Sequence, residues 1–243
     1  MNSTYTLTFG DVAENHIGMQ KIGNKRDGNF SYKELEILAN CIKDATFYDL
    51  SEYLPKEFPS DSEIDSKFED KYYEELEEVE KAGILVIKNG VNLICDYGNP
   101  CDYLDDDYDG PSSADLMLEE QKELEYDTQY YDQRRKKVLN KRARWNICFD
   151  DEEQEPDYEQ GKGTIISFQD VFTLNLFRLY LPEYLKNMYN DLNTKKIKYL
   201  KAEGNLYYDI NKCGIGYHGD TERNIVIGIR LGETLPLCYQ WYY

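Results

Sequence analysis

Histidine is almost absent: the 243-residue chain has two, His16 and His218. Any site that needs two or three imidazoles must use both, or ligands of another kind. Bases are scarce too. Lys and Arg number 28 against 47 Asp and Glu, a formal net charge of −19. A surface this acidic repels phosphate backbones at long range, which excludes non-specific nucleic-acid binding by the whole surface and leaves that role only to a local basic patch. No apolar run approaches membrane-spanning length; residues 84–87 are strand-sized. The opening MNSTYTLTFG has neither the basic nor the apolar segment of a secretory signal. The six cysteines, Cys41, Cys95, Cys101, Cys148, Cys213 and Cys238, are irregularly spaced and form no CxxC pair. Reduced thiols in a cytosol-like compartment are the expectation, and the sequons at Asn2 and Asn29 are then chance matches.

What the chain does contain suffices for a core. Hydrophobic residues make up 41%, which excludes wholesale disorder. The pattern predicts an α+β protein. Residues 4–9 alternate as a strand, and 11–28 form a glycine-punctuated loop. Ser31 to Glu34 has capping-box spacing ahead of Leu35, Leu38, Ala39 and Ile42, a short amphipathic helix. A proline-bearing connection at 54–61 leads to a charged helix striped by Ile64, Phe68, Tyr72, Leu76 and Val79 and stopped at Gly83. Residues 84–88 and 91–95 flank Asn89-Gly90, which predicts a β-hairpin. An apolar helix over 171–180 is restarted or kinked at Pro182 and continues over 183–192. Strands are expected at 197–201, 205–210, 225–231 and 237–243. No repeat of solenoid or propeller period is present.

Charge divides the middle of the chain into blocks. Residues 96–132 hold thirteen acids and one base, 134–144 seven bases and no acid, and 150–159 seven acids. These shifts suggest an N-terminal α/β region (1–95), an acidic–basic–acidic insert (96–160), part disordered or a long helix, and a C-terminal region (161–243). The basic run QRRKKVLNKRAR has the composition to track a phosphate backbone; pairing with its acidic flanks is the favoured reading. The acids of 102–109 lack EF-hand spacing for calcium.

The chemistry concentrates in residues 204–241. His218-Gly219-Asp220 on an extended strand would set imidazole and carboxylate on one face. That is two-thirds of a 2-His-1-carboxylate triad, which suits non-haem Fe(II); the bare tripeptide by itself is better read as a solvated turn at the end of a strand. Ahead of it stand Asn205-Leu206-Tyr207 and a glycine-rich turn, and after it Thr221-Glu222 and an apolar strand ending Arg230-Leu231-Gly232. This arrangement resembles the Fe(II)/2-oxoglutarate dioxygenases of the AlkB-like branch. ARWNICF at 143–149 and YEQGKG at 158–163 are similar to AlkB-like proteins of large DNA viruses and protists. The resemblance covers about residues 161–243.

The resemblance implies a partial double-stranded β-helix (jelly-roll) core with N-terminal helices and a hairpin. It implies His218 and Asp220 as iron ligands, Asn205 and Tyr207 at the 2-oxoglutarate, and oxidative hydroxylation or demethylation as the reaction. The substrate class stays open among protein, small molecule and nucleic acid. A host cytoplasm or a virion is the implied location if the chain is viral. One departure stands out. The family pattern needs a second histidine and a nearby arginine well downstream, and no histidine follows His218. The chain is therefore expected to be an incomplete jelly roll with unpaired strand edges and an exposed aromatic tail. It would be a truncated product, half of a two-chain enzyme, or a site closed by a substitute ligand, the candidates being His16, Glu222, Cys213 and Cys238. A reading of another class is a catalytically inactive relative that serves as an acidic protein-interaction module.

Overall fold

Strand β1 (Thr4–Gly10) is built from alternating Thr and large apolar residues, and its alternation decides the architecture. In the computed structural model, which describes residues 2–54, 81–98 and 110–241, β1 lies inside a five-stranded sheet. On one side it pairs antiparallel with β10 (Lys201–Tyr207), on the other with β11 (Ile227–Gly232). β8 (Trp145–Asp150) pairs antiparallel with β10, and β9 (Ile165–Ser167) parallel with β8, giving the order β11-β1-β10-β8-β9. The sheet is open and mixed.

Because opposed residues share a face, the register sorts the side chains. Tyr5, Leu7 and Phe9 lie with Ile227, Ile229 and Leu231, with Ala202 and Gly204, and with Ile147 and Phe149. This is the apolar face. Phe9 meets Phe168 and Phe177 at centroid separations of 6.3 and 5.4 Å, and Phe149 meets Phe168 at 6.1 Å. Phe177 belongs to α4 (Phe172–Met188), which buries Leu174, Phe177, Leu181 and Leu185. The helix runs through Pro182 unbroken. Arg178 of α4 is buried and ties the helix to the sheet: Nε donates to the Leu200 carbonyl at 2.8 Å, and the two Nη donate to the Asp151 carboxylate at 2.6 and 3.0 Å.

The opposite face carries Thr4, Thr6 and Thr8, then Glu203, Asn205 and Tyr207, then Asn146 and Cys148, with Arg230 on β11. Past β1 the chain turns at Gly10, where a Cβ would stand 2.9 Å from two backbone carbonyl oxygens, those of Val12 and Ile225. It then enters the hairpin β2 (Val12–Glu14) and β3 (Lys21–Gly23), whose Ala13 and Ile22 pack against Cys148 and Ile165.

The chain resolves into two compact units, residues 1–29 with 89–240, and residues 30–88 with 241–243. The second holds α1 (Tyr32–Cys41) and the antiparallel pair β4 (Ala45–Asp49) and β5 (Gly83–Ile87). The Ser31/Glu34 capping box predicted from sequence is formed, and Trp241 Nε1 donates to the Leu50 carbonyl. These units do not follow the compositional divisions at 95 and 160, because β8 lies within the charged middle segment yet pairs with β10.

Four sequence expectations are corrected. The Asn89-Gly90 hairpin is absent: Asn89 takes a positive φ of 55°, but Gly90 opens helix α2 (Gly90–Gly98). Val91, Ile94 and Cys95 are buried at helical spacing, and a five-residue apolar run cannot tell the two periods apart. The basic run is neither helix nor disordered. It forms the turn and second strand of a hairpin, β6 (Gln129–Asp132) and β7 (Lys137–Asn140). Residues 197–201 enter a strand only at Lys201, and 237–241 form none. His218 and Asp220 lie in a loop, not on a strand. The helix expected at 64–79, its connection, Cys101 and the acids of 102–109 lie outside the described residues. Helix α3 (Ser113–Glu123) starts at the Ser112/Asp115 capping box. Among the described residues five cysteines are free thiols, and no helix is long and apolar enough to cross a membrane.

Candidate functional site

The connection from β10 to β11 builds the site. β10 ends with Tyr207 opposite Thr4, and β11 begins with Ile227 opposite Phe9. Residues 208–226 must therefore travel back along the length of β1. They do so on the polar face. Arg223 Nη2 donates to Glu203 Oε1 at 2.6 Å, and Glu203 shares its face with Asn205 and Tyr207. The loop is fastened at each end. Gly214 N donates to the Ala143 carbonyl beside β8. At the far end Asp11 accepts from the backbone N–H of Asn224 (3.0 Å), Ile225 (3.1 Å) and Arg26 (2.6 Å). Burial raises the Asp11 carboxyl, and these three N–H groups outweigh it, leaving the pKa below its ordinary value.

His218 and Asp220 ride on this loop. The turn brings them together without a strand: His218 Nε2 stands 3.6 Å from Asp220 Oδ1. On its other side His218 Nδ1 lies 2.8 Å from the Gly216 carbonyl. A carbonyl only accepts, so Nδ1 carries the proton and Nε2 is the nitrogen that can present a lone pair. Two metal bonds of about 2.1 Å at 90–120° put their donors about 3.0–3.6 Å apart. The 3.6 Å separation lies at the upper end of that range and is also that of a His–Asp ion-pair contact. Half of the His218 side chain and a third of Asp220 are exposed.

The other predicted pair lies on β10. Asn205 and Tyr207 are buried, at 6% and 7% exposure, and face the same side of the sheet as the loop. Asn205 Oδ1 accepts from Arg144 Nε at 2.7 Å. Half-buried Arg144 has no carboxylate partner among the described residues. Arg230, opposite Thr6 in register with Asn205, donates Nη1 to the Leu235 carbonyl. Asn205, Thr6, Arg144 and Arg230 thus present donors to one face, a composition suited to a carboxylate.

None of the substitute ligands joins His218 and Asp220: no group of three His, Cys, Asp or Glu in metal-binding arrangement occurs among the described residues. His16 packs on the Tyr130 ring at a centroid separation of 4.0 Å. Its burial, with Lys141 and Arg144 nearby, lowers its pKa to about 4, so it is neutral at pH 7. Glu222 accepts from Arg223 Nη2 at 2.7 Å and from Nε at 3.0 Å. Cys213 is buried and Cys238 exposed.

Sequence reasoning missed Arg144, Glu203 and Arg223. Arg144 closes the basic run, and that run does not pair with its acidic flanks as a block. Only Arg135 meets a flanking acid among the described residues, Asp132 at 3.5 Å. Lys141 turns inward, donating to Asn15 Oδ1 at 2.9 Å. Asp127 closes that cluster, accepting from Asn15 Nδ2, the Tyr158 hydroxyl, Thr164 N and Thr164 Oγ1 at 2.6–2.9 Å. Every member is partnered, so the cluster is structural. A lone Arg three residues after an Asp carries no signal a sequence could separate from chance.

The chain is 37% identical over 242 residues to Uncharacterized protein R156 of Acanthamoeba polyphaga mimivirus, covering 100% of this chain and 79% of that protein. The chain belongs to the family of that viral protein. No family model and no solved structure matches it.

Proposed function

We propose that the chain is an AlkB-like Fe(II)/2-oxoglutarate-dependent oxygenase whose reaction is oxidative hydroxylation or demethylation. The observation that carries the reading is the approach of His218 Nε2 and Asp220 Oδ1, 3.6 Å apart with Nδ1 held by a carbonyl. Metal-ligating histidines have that hydrogen-bonding pattern, one nitrogen fixed by an acceptor and the other turned to the metal. Iron(II), with 2-oxoglutarate and oxygen, would supply the oxidising power when bound. In this reading His218 and Asp220 hold the metal, the Asn205 amide and Tyr207 hold 2-oxoglutarate, and Arg144 is the cation beside them. The open five-stranded sheet would be one wall of a double-stranded β-helix. The third ligand would come from a partner chain, since the other histidine, His16, packs on Tyr130.

The test is an anaerobic titration with Fe(II) and 2-oxoglutarate, read by the metal-to-ligand charge-transfer band. The reading expects a band in the wild type that is lost in His218→Ala. Absence of the band in both would refute it.

A second reading, an acidic interaction module, is favoured by one feature. β11 is an edge strand, and Val226, Leu237 and Tyr239 around it are each more than half exposed. Self-association abolished by Val226→Lys, with no iron uptake, would support it over the first.

A further inference from the structure

We propose that Lys141 and Asn15 join in an isopeptide bond, an amide between their side chains that forms within the folded chain with loss of ammonia. The proposal is independent of the iron reading. Asn15 follows β2 and Lys141 follows β7, so the bond straps the first hairpin of the chain to the hairpin of the basic run. The three residues involved are buried: Asn15 is 3% exposed, Asp127 4% and Lys141 7%.

Their hydrogen bonds set a nucleophile, an acyl group and an acid–base group in that order. Lys141 Nζ donates to Asn15 Oδ1 at 2.9 Å. Asn15 Nδ2 donates to Asp127 Oδ2 at 2.8 Å and to the Asn146 carbonyl at 3.2 Å. Both of those partners accept, so they fix which way round the amide faces. The amide lies against Gly163, where a Cβ would stand 2.4 Å from Asn15 Cγ. Cγ is about 1.2 Å behind Oδ1, so a small swing of the flexible lysine stem carries Nζ from the oxygen to the carbon. Asp127 Oδ2 already rests on the nitrogen that must leave. The Tyr158 hydroxyl, Thr164 N and Thr164 Oγ1 hold its carboxylate there.

The step balances without a further reactant. Neutral Lys141 Nζ attacks Asn15 Cγ, the Nζ–Cγ bond forms, and the carbonyl electron pair moves onto Oδ1. Asp127 takes the proton shed by Nζ and passes it to Nδ2. The pair on Oδ1 returns, the Cγ–Nδ2 bond breaks, and Nδ2 leaves as ammonia. Nothing is oxidised or reduced. Two observations separate this arrangement from an ordinary buried ion pair. First, Nζ donates to the neutral oxygens of Asn15 and Asn146, while the carboxylate of Asp127 sits on the amide instead. An ammonium buried without a carboxylate against it is costly, and conversion to an amide removes the charge. Second, burial lowers the Lys141 pKa to about 8 against the influence of Asp127, so about a tenth of the amine is neutral at pH 7. The structure shows the unlinked chain, the form to which that titration belongs. Unlike a disulfide, the strap forms without an oxidant, in a chain whose described cysteines are free thiols.

The experiment is mass spectrometry of the purified full chain, intact and after trypsin, on wild type, Asp127→Asn and Lys141→Arg held at pH 8. Circular dichroism establishes that each variant is folded. The proposal expects the wild type to be about 17 Da lighter than its sequence requires, the mass of one ammonia. It also expects a tryptic species in which residues 1–21 are joined through Asn15 to residues 138–142, because the linked Lys141 is no longer cleaved. Lys141→Arg has no amine to attack and keeps its full mass. Asp127→Asn forms the bond about 100-fold more slowly, the usual effect of losing a positioned acid–base group. If a variant does not fold, the linked peptide of the wild type decides. A wild type of full mass with separate peptides would overturn the proposal. So would a loss of about 17 Da without the linked peptide, the signature of a succinimide closed within the backbone at Asn15.

Discussion

Removing the Asp11 carboxylate should release the far end of the loop that carries His218 and Asp220. Asp11 is 2% exposed and accepts three backbone N–H groups, those of Arg26, Asn224 and Ile225. In Asp11→Ala all three lose their acceptor. Ile225 is fully buried, so its N–H cannot turn to water, at a cost of about 1–3 kcal/mol. The N–H groups of Arg26 and Asn224 are part-buried, and each adds about 1 kcal/mol. The expected loss is about 3–5 kcal/mol, large against a total stability of about 5–15 kcal/mol. Asp11→Asn keeps an acceptor oxygen and loses the charge, so it should cost about 1–2 kcal/mol. Urea unfolding at 25 °C, followed by far-UV circular dichroism, measures both. The carboxyl titrates below its ordinary value when folded, so its contribution is complete above about pH 4 and is lost as pH falls through the folded pKa. The alanine variant should therefore lose less stability on acidification than the wild type. A loss under 1 kcal/mol in Asp11→Ala, or an unchanged acid response, would refute the reasoning.

Three further outcomes follow from other parts of the molecule. Burial lowers the Lys141 pKa to about 8, against the opposing influence of Asp127. The unfolded chain thus binds more protons above that pH, and the stability of the unlinked chain should rise between about pH 8 and 10; Lys141→Met should flatten that rise in urea titrations. Phe9→Ala empties the contact with Phe168 and Phe177 and should cost about 3–5 kcal/mol by the same assay. Arg144→Leu removes the donor to Asn205 and should weaken 2-oxoglutarate binding at least tenfold by calorimetry of the Fe(II)-loaded chain, while leaving Co(II) affinity unchanged.

The parts of the fold legible in the sequence were those fixed by short-range chemistry. The Ser31 cap, the alternation of β1 and the apolar period of α4 were each carried by neighbouring residues. The misread parts depended on distant partners. Val91 to Cys95 is apolar enough for either period, and packing of Ile94 and Cys95 into the interior made it a helix. The basic run looked like a surface feature because sequence spacing does not show that Lys141 meets Asn15, or Arg144 meets Asn205. The candidate site divides in the same way. Asn205 and Tyr207 were expected on a strand, and β10 carries both. The convergence of His218 and Asp220 was expected from strand alternation and arises instead from a turn held by Gly216, Asp11 and Arg223.

The central claim is that His218 and Asp220 share one metal ion on the polar face of the sheet. Crystals of the chain grown anaerobically with Mn(II), a spectroscopic and anomalous substitute for iron, test it most directly. The account predicts an anomalous peak about 2.1–2.2 Å from both His218 Nε2 and Asp220 Oδ1. A map without that peak at saturating Mn(II), with His218 and Asp220 in direct contact as an ion pair, would contradict it.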